Sequence, residues 1–292
     1  MQKPIKIMPT PQKNKIEEHL RALIGERNPF TEPGHLETVR NYIATQFESF
    51  GLSVTEDAVD FEGSRSFNIL GKNTKLVAES FVLAAHYDTK PGTPGADDNA
   101  SAVAALLEIA RCLAGDSFRS PIIFAAFTLE EYGFIGSHHF IKSAGARNET
   151  FSGMISLEML GYKNTEPNSQ TYPPYVDTEK YPDRGDFIAV VGNEPSAQLA
   201  HSLATDMKQH VPSLNVETLV VPGTGENFSE VRLSDHSPFW DAGIPAVMVT
   251  DTAFFRNPHY HQPSDTYETL DVEFIQENAE AVAETLKILL NK

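Results

Sequence analysis

Several short stretches place metal-binding and proton-transferring side chains at the ends of apolar runs. The first is His86-Tyr87-Asp88, followed by Pro94-Gly95-Ala96-Asp97-Asp98-Asn99. The imidazole at 86 and the carboxylate at 98 stand twelve positions apart, and the loop between them could fold both onto one ion. Neutral imidazole and carboxylate oxygen are typical zinc donors, and the lack of Cys pairs argues against a closed structural zinc site. Asp88, two residues beyond His86, would share its side of an extended chain and could accept the ring N–H. The same letters also read as a strand end followed by a helix N-cap. Glu130-Glu131 closes the apolar run PIIFAAFTL, and adjacent carboxylates repel unless a cation or proton intervenes. One could bind metal while the other handles protons; a solvated acidic turn is the competing reading. Glu158 interrupts the apolar run MISLEML and needs a partner, either a metal or a buried counter-ion. Asn257–Thr266 concentrates histidine in a loop, as does Ser234-Asp235-His236-Ser237. The chain has ten histidines, so one alone says little; His138, His139, His201 and His210 fall in helical patterns and read as surface or packing residues. His236, ahead of a short helical SPFW segment, reads as a capping or supporting residue.

These residues need elements to position them. FVLAAH at 81–86 is too short for a helix and reads as a buried strand, followed by the loop YDTKPGTPGADDN and the helical SAVAALLEIARCLAG. The same order recurs in PIIFAAFTL with SHHFIKSAG, in MISLEML with a long loop, in FIAVVG with SAQLAHSLATDMKQHV, and in IPAVMVT with a final helix near 272–290. Upstream, HLETVRNYIATQFESF reads as an amphipathic helix ending at Gly51, and LSVTEDAVDF and SFNILGKN as strands. Such alternation predicts an α/β fold, three layers deep, with a mixed, mainly parallel central sheet. Binding sites in sheets of this kind gather beyond the carboxyl ends of strands, where His86, Asp88, Glu130, Glu131, Glu158 and His261 all fall. Residues 162–186, rich in Pro and Tyr, read as a long pocket-shaping loop. Phe228, Phe254, Phe255 and Tyr260 are candidates for an apolar pocket, and Arg232 for a contact to a substrate backbone.

The bulk properties narrow the partners. No linker or charge block divides the 292 residues, so a single domain over 1–292 is expected. A formal charge of −17 disfavours nucleic acid and anionic membrane surfaces, both of which select clustered Lys and Arg. The single Cys112 lies in an apolar helical pattern and reads as a core residue. MQKPIKIMPTPQKNK lacks the apolar stretch of a secretory signal, and no run is long enough to span a bilayer, so the expected location is cytoplasmic, with a processed secreted form as the alternative.

Taken together, HYD, PGADDNAS, TLEEYGFIGS, LEMLGY, SDHSPF and HYHQPSDT, in this order, resemble the cocatalytic double-zinc aminopeptidase family, whose relatives include glutamate carboxypeptidases and glutaminyl cyclases. The resemblance runs from FVLAAHYD to HQPSDT. It implies two zinc ions, with Asp98 bridging them, His86 and Glu158 completing one, and Glu131 and His261 completing the other. It further implies Glu130 as general base, Tyr260 as donor to the developing oxyanion, and Asp88 and Asp235 as supports behind the ligands. A cis Asp98–Asn99 peptide is implied as well. The implied activity is that of a zinc exopeptidase, foremost an aminopeptidase acting on peptides with a metal-activated water. Glu at 158 departs from the Asp of many aminopeptidases and is shared with carboxypeptidase-like and cyclase relatives; Tyr260 stands where animal-type cyclases have Trp. Glutaminyl cyclase activity is therefore the alternative, followed by a non-catalytic binding module on the same fold.

Overall fold

The computed structural model describes residues 9–72 and 79–291. Residues 1–8 of the amino-terminal stretch, and Asn73 of the expected strand SFNILGKN, lie outside the described residues.

The apolar runs become strands because both of their faces are covered. β3 (Ser80–His86) and β4 (Ile122–Phe127) are buried along almost their whole length, as suits central strands packed between helix layers. β1 (Ser53–Phe61) and β2 (Ser64–Lys72) form an antiparallel hairpin, and the remaining strands are β5 (Phe151–Glu158), β6 (Phe187–Asn193), β7 (Asn215–Val221) and β8 (Ala246–Thr250). Together they make one sheet in the order β1-β2-β4-β3-β5-β8-β6-β7. β3 runs parallel to β4 and β5, β5 to β8, and β6 to β7, whereas β2 is antiparallel to β4 and β6 to β8. The mixed, mainly parallel sheet expected from the alternation is the observed one.

Side chains alternate between two cores. Leu83, Phe124, Ile155, Val190 and Val249 face one layer, built from α1 (Lys13–Leu23), α2 (Pro33–Ser49), α3 (Ala102–Leu113), α5 (Ala197–His210) and α7 (Val272–Leu289). Val82, Phe127, Met154, Ala189 and Met248 face the other, with α4 (Ile135–Ala146) and α6 (His236–Asp241). This period of two is what a sheet between two helix layers requires. α3 is apolar nearly all round, with only Arg111 not fully buried, because it packs against α1, α2 and α7 as well as the sheet. α2 stops where Gly51 turns left-handed at φ 83° and the Leu52 amide returns to the Phe47 carbonyl. α7 starts at Asp271, whose carboxylate accepts the amides of Glu273 and Phe274.

α1 is an element that the strand-helix alternation did not include, although Ile16, Leu20 and Leu23 carry the helical spacing and are fully buried. Residues 162–186 form the long loop that was expected, with a short helical turn at Thr178–Lys180 and a bridge between Asn164 and Gly185. No described helix is long and apolar enough to cross a membrane.

Candidate metal centre

Register and strand ends bring the site together. Ala84 on β3 pairs with Ser156 on β5, so His86 and Glu158, two residues further along, leave adjacent strands at one level and on one face. His86 Nε2 lies 3.4 Å from Glu158 Oε1 and 3.3 Å from Asp98 Oδ1. The other oxygen of Asp98 lies 3.1 Å from His261 Nε2, which is 3.3 Å from Glu131 Oε2. Two clusters result, His86/Asp98/Glu158 and Asp98/Glu131/His261, with one Asp98 oxygen in each. Donors held at 2.0–2.1 Å around a tetrahedral zinc are separated by about 3.3 Å. The measured separations match that value, so both clusters fit a zinc ion. Glu130 stands at the edge, with its Oε2 3.9 Å from His86 Nε2.

Asp98 is aimed by an irregular turn over Ala96–Ser101 that contains a cis Asp98–Asn99 peptide, as the family pattern implied. Gly95 enters this turn at φ 60°, and a Cβ there would sit 2.3 Å from the Asp98 carbonyl oxygen and 2.7 Å from Arg27 Nη2, so only glycine fits. Asp265 accepts the Asp97 and Asp98 amides with its two carboxylate oxygens, at 2.9 and 3.1 Å. Asp97 points away from the clusters and takes the Gly161 amide and the Asn257 side chain, while Asn99 bridges the Leu157 carbonyl and the Met159 amide. The turn is thus laced to the end of β5 and to the loop that carries His261.

Asp88 supports the site by a different route from the one its spacing suggested. Its carboxylate stands 3.7 Å from His86 Nδ1, and its two oxygens instead accept the backbone amides of Glu130 and Glu131 at 3.1 and 3.2 Å. His86 Nδ1 faces the Asp88 carbonyl at 3.2 Å. Asp235 is buried behind the clusters, accepting from Ser137 Oγ at 2.6 Å, and Ser234 Oγ donates to Glu158 Oε2 at 2.7 Å. Lys90 pairs with Glu131 through Nζ at 3.2 Å and through its amide at 3.1 Å. Tyr260 is half-buried with its ring stacked on His261 at 3.7 Å.

Arg27, which no sequence pattern singled out, is the hidden clamp. Fully buried, it donates to the carbonyls of Leu23, Gly25, Tyr87, Pro94 and Gly95, all within 2.9 Å. Both ends of the loop between His86 and Asp98 are therefore gripped by one side chain. Its burial lowers the guanidinium to about 10 against the opposing pull of Asp265, Asp98 and Asp88.

The electrostatics are those of a cation site. Burial works to lower His261, but hydrogen bonds with Asp98 and Glu131 outweigh it and push the imidazole up to about 9. His86 is likewise raised well above its ordinary value by Glu130 and Glu158, against desolvation. Desolvation raises Glu130 and Glu158, and both are drawn back by His86. Carboxylates that keep protons on two imidazoles form a place where divalent charge is favoured.

Beside Glu158 and Tyr260 opens a largely apolar cavity, with Tyr172, Phe187, Met248, Phe254 and Phe255 in its walls. Phe228 packs against Tyr175 instead, at 4.8 Å. Arg232 is engaged with Asp241 at 2.6 Å and the Thr224 carbonyl, and His236 is buried with Nε2 2.8 Å from the Val231 oxygen.

Residues 67–286 match the sequence profile of Peptidase family M28. The chain belongs to this peptidase family. An Escherichia coli K12 relative, described as uncharacterized protein YfbL, is 33% identical over 98% of this chain and 92% of its own length. The solved structure of BSAP, a zinc aminopeptidase from Bacillus subtilis, is 26% identical with a TM-score of 0.60, covering 80% of this chain and 52% of that one. The Legionella pneumophila LapA aminopeptidase shares the fold at a TM-score of 0.76 and 21% identity, over 96% of this chain and 70% of its own. This chain thus spans nearly all of the E. coli relative but about half of the B. subtilis enzyme. The chain is thus a member of a peptidase family, and the B. subtilis structure it resembles is that of a zinc enzyme.

Proposed function

We propose that the protein is an aminopeptidase that uses two zinc ions, held by His86, Asp98 and Glu158 on one side and by Asp98, Glu131 and His261 on the other. The observation that carries this reading is the shared Asp98, one oxygen in each of two clusters whose donor spacings suit zinc. When bound, such a metal pair polarises the scissile carbonyl and lowers the pKa of the attacking water. Glu130, buried at the edge of the pair and raised by desolvation, takes a proton from that water and returns it to the departing amine. Tyr260 donates its hydroxyl proton in a hydrogen bond to the carbonyl oxygen as negative charge develops there.

The direction of attack follows from charge. An α-ammonium finds carboxylates around the metals, whereas an α-carboxylate needs a cation. Among the described residues the nearby cations are spoken for: Arg27 by backbone carbonyls and Lys90 by Glu131. No Lys or Arg lines the cavity beside Glu158. A free amino terminus is therefore the end this site selects.

The test is to profile purified protein on aminoacyl amides, amino-blocked peptides and N-terminal Gln peptides, with zinc and with a chelator. Hydrolysis restricted to free amino termini, lost with the chelator and restored by zinc, is expected. Pyroglutamate release without hydrolysis would replace this reading with a cyclase, and hydrolysis from blocked peptides would replace it with a carboxypeptidase.

A further inference from the structure

One row of the sheet floors the cavity beside the metal clusters. Glu158 on β5 pairs with Thr250 on β8, Thr250 with Ala189 on β6, and Ala189 with Glu217 on β7. Partners in register point to the same face, so four side chains stand in line. With strands about 4.8 Å apart, the α-carbons of Glu158 and Glu217 lie about 14 Å apart. Between them stand only the small side chains of Thr250 and Ala189, which leaves a trough walled by Tyr172, Phe187, Leu219, Met248 and Phe255. The near end of this trough carries a metal-cluster carboxylate, and the far end carries a second carboxylate with an apolar surround.

Glu217 has no evident task in holding the fold. It accepts no hydrogen bond and forms no ion pair among the described residues, and Lys208 acts on it only at a distance. Desolvation raises its carboxyl. No Lys, Arg or His lines the cavity to neutralise it.

We propose that Glu217 reads a cationic side chain, lysine or arginine, on the amino-terminal residue of the substrate. This rests on the aminopeptidase reading above and names its preferred substrate class. The distances fit: the substrate α-carbon sits a few ångström beyond the metals, an extended lysine or arginine adds about 6–7 Å to its charged head, and a hydrogen bond closes the last ~2.9 Å. A leucine side chain ends well short of Glu217. The methylene stem of a basic residue lies along the aromatic and Met walls while its head reaches the carboxylate, the arrangement long cationic side chains favour.

The experiment compares kcat/KM on arginyl, lysyl, leucyl and citrullyl 4-nitroanilides, since citrulline has the shape of arginine without its charge. Arginyl should exceed citrullyl by about 10- to 100-fold, as expected for a charged hydrogen bond in a partly desolvated site. Glu217→Gln should collapse that ratio, and Glu217→Asp, which keeps the charge on a shorter stem, should restore part of it. In parallel, free L-arginine should inhibit the wild type more strongly than L-citrulline, with the difference lost in Glu217→Gln. Equal rates on arginyl and citrullyl substrates in the wild type, or a ratio unmoved by Glu217→Gln, would overturn the role of Glu217; continued leucyl hydrolysis would then leave the aminopeptidase reading standing. Failure on every aminoacyl substrate would overturn both.

Discussion

Glu130 and Glu131 are neighbours in the chain with opposite surroundings. Glu131 meets Lys90 and His261, so its charge is answered on two sides. Glu130 is buried; desolvation raises its carboxyl most, His86 draws it back, and Glu158, Glu131 and Asp235 press it further upward. A carboxyl that holds its proton more readily than usual is suited to passing one back and forth. Glu130→Gln should therefore lower kcat by about 10²- to 10⁴-fold while leaving the zinc content of the protein unchanged by elemental analysis. Loss of zinc in this variant would move Glu130 into the ligand set, and retained turnover would remove it from the chemistry.

At the scale of elements, the loop between β3 and α3 matters most, because it carries His86 at one end and Asp98 at the other. Arg27, just beyond α1, fixes that loop by donating to five backbone carbonyls around it, of which those of Pro94 and Gly95 also accept from the Gly25 and Ala100 amides. Lysine offers three donors from a single point and cannot reproduce this fork. Arg27→Lys should destabilise the fold by roughly 2–4 kcal/mol and weaken zinc binding, measured by denaturant unfolding of the metal-free protein and by chelator competition. A variant as stable as the wild type would show that the carbonyls find other donors.

Arg27 also marks the limit of what the sequence discloses. His86, Glu130, Glu131 and Glu158 were legible because charge at the end of an apolar run is unusual, Asp98 and His261 because of their loops beyond strand ends, and the grouping into two ligand sets because the motif order resembled a known family. The layered fold was legible because strand and helix periods alternate. Arg27 was not, since its partners are backbone carbonyls and carry no residue signature. Nor was Asp265, which lies inside a quoted motif but acts on the amides of Asp97 and Asp98, or the use Asp88 makes of two amides in place of an imidazole. The placement of β8 between β5 and β6 is likewise a matter of tertiary pairing that periodicity does not encode.

For the molecule as a whole, metal and proton compete for the same charge. Without metal, His261 keeps a proton up to about pH 9, whereas in an unfolded chain it loses it near 6.5. A folded-state pKa raised in this way stabilises the fold fully below pH ~6.5, and the contribution fades as pH rises through about 9. The melting temperature of the metal-free protein should therefore fall between pH 6.5 and 9, while that of the zinc-loaded protein, whose imidazoles are held by metal, should change less. Zinc binding at pH 7.5 should also release protons, read by calorimetry in buffers of different ionisation enthalpy. Uptake without proton release would show that the imidazoles are already neutral.

The position of β8 has a consequence for how the molecule is made. A chain emerging from the ribosome presents β3, β4 and β5, with His86, Asp98, Glu130, Glu131 and Glu158, long before residues 246–261 leave the exit tunnel. Until then the edge of β5 has no neighbour, and Asp98 lacks both the imidazole of His261 and the carboxylate of Asp265 that aims its turn. A polypeptide long enough to show β5 but not yet residue 261 thus has an unpaired strand edge and half a cation site, and one later segment supplies both missing partners.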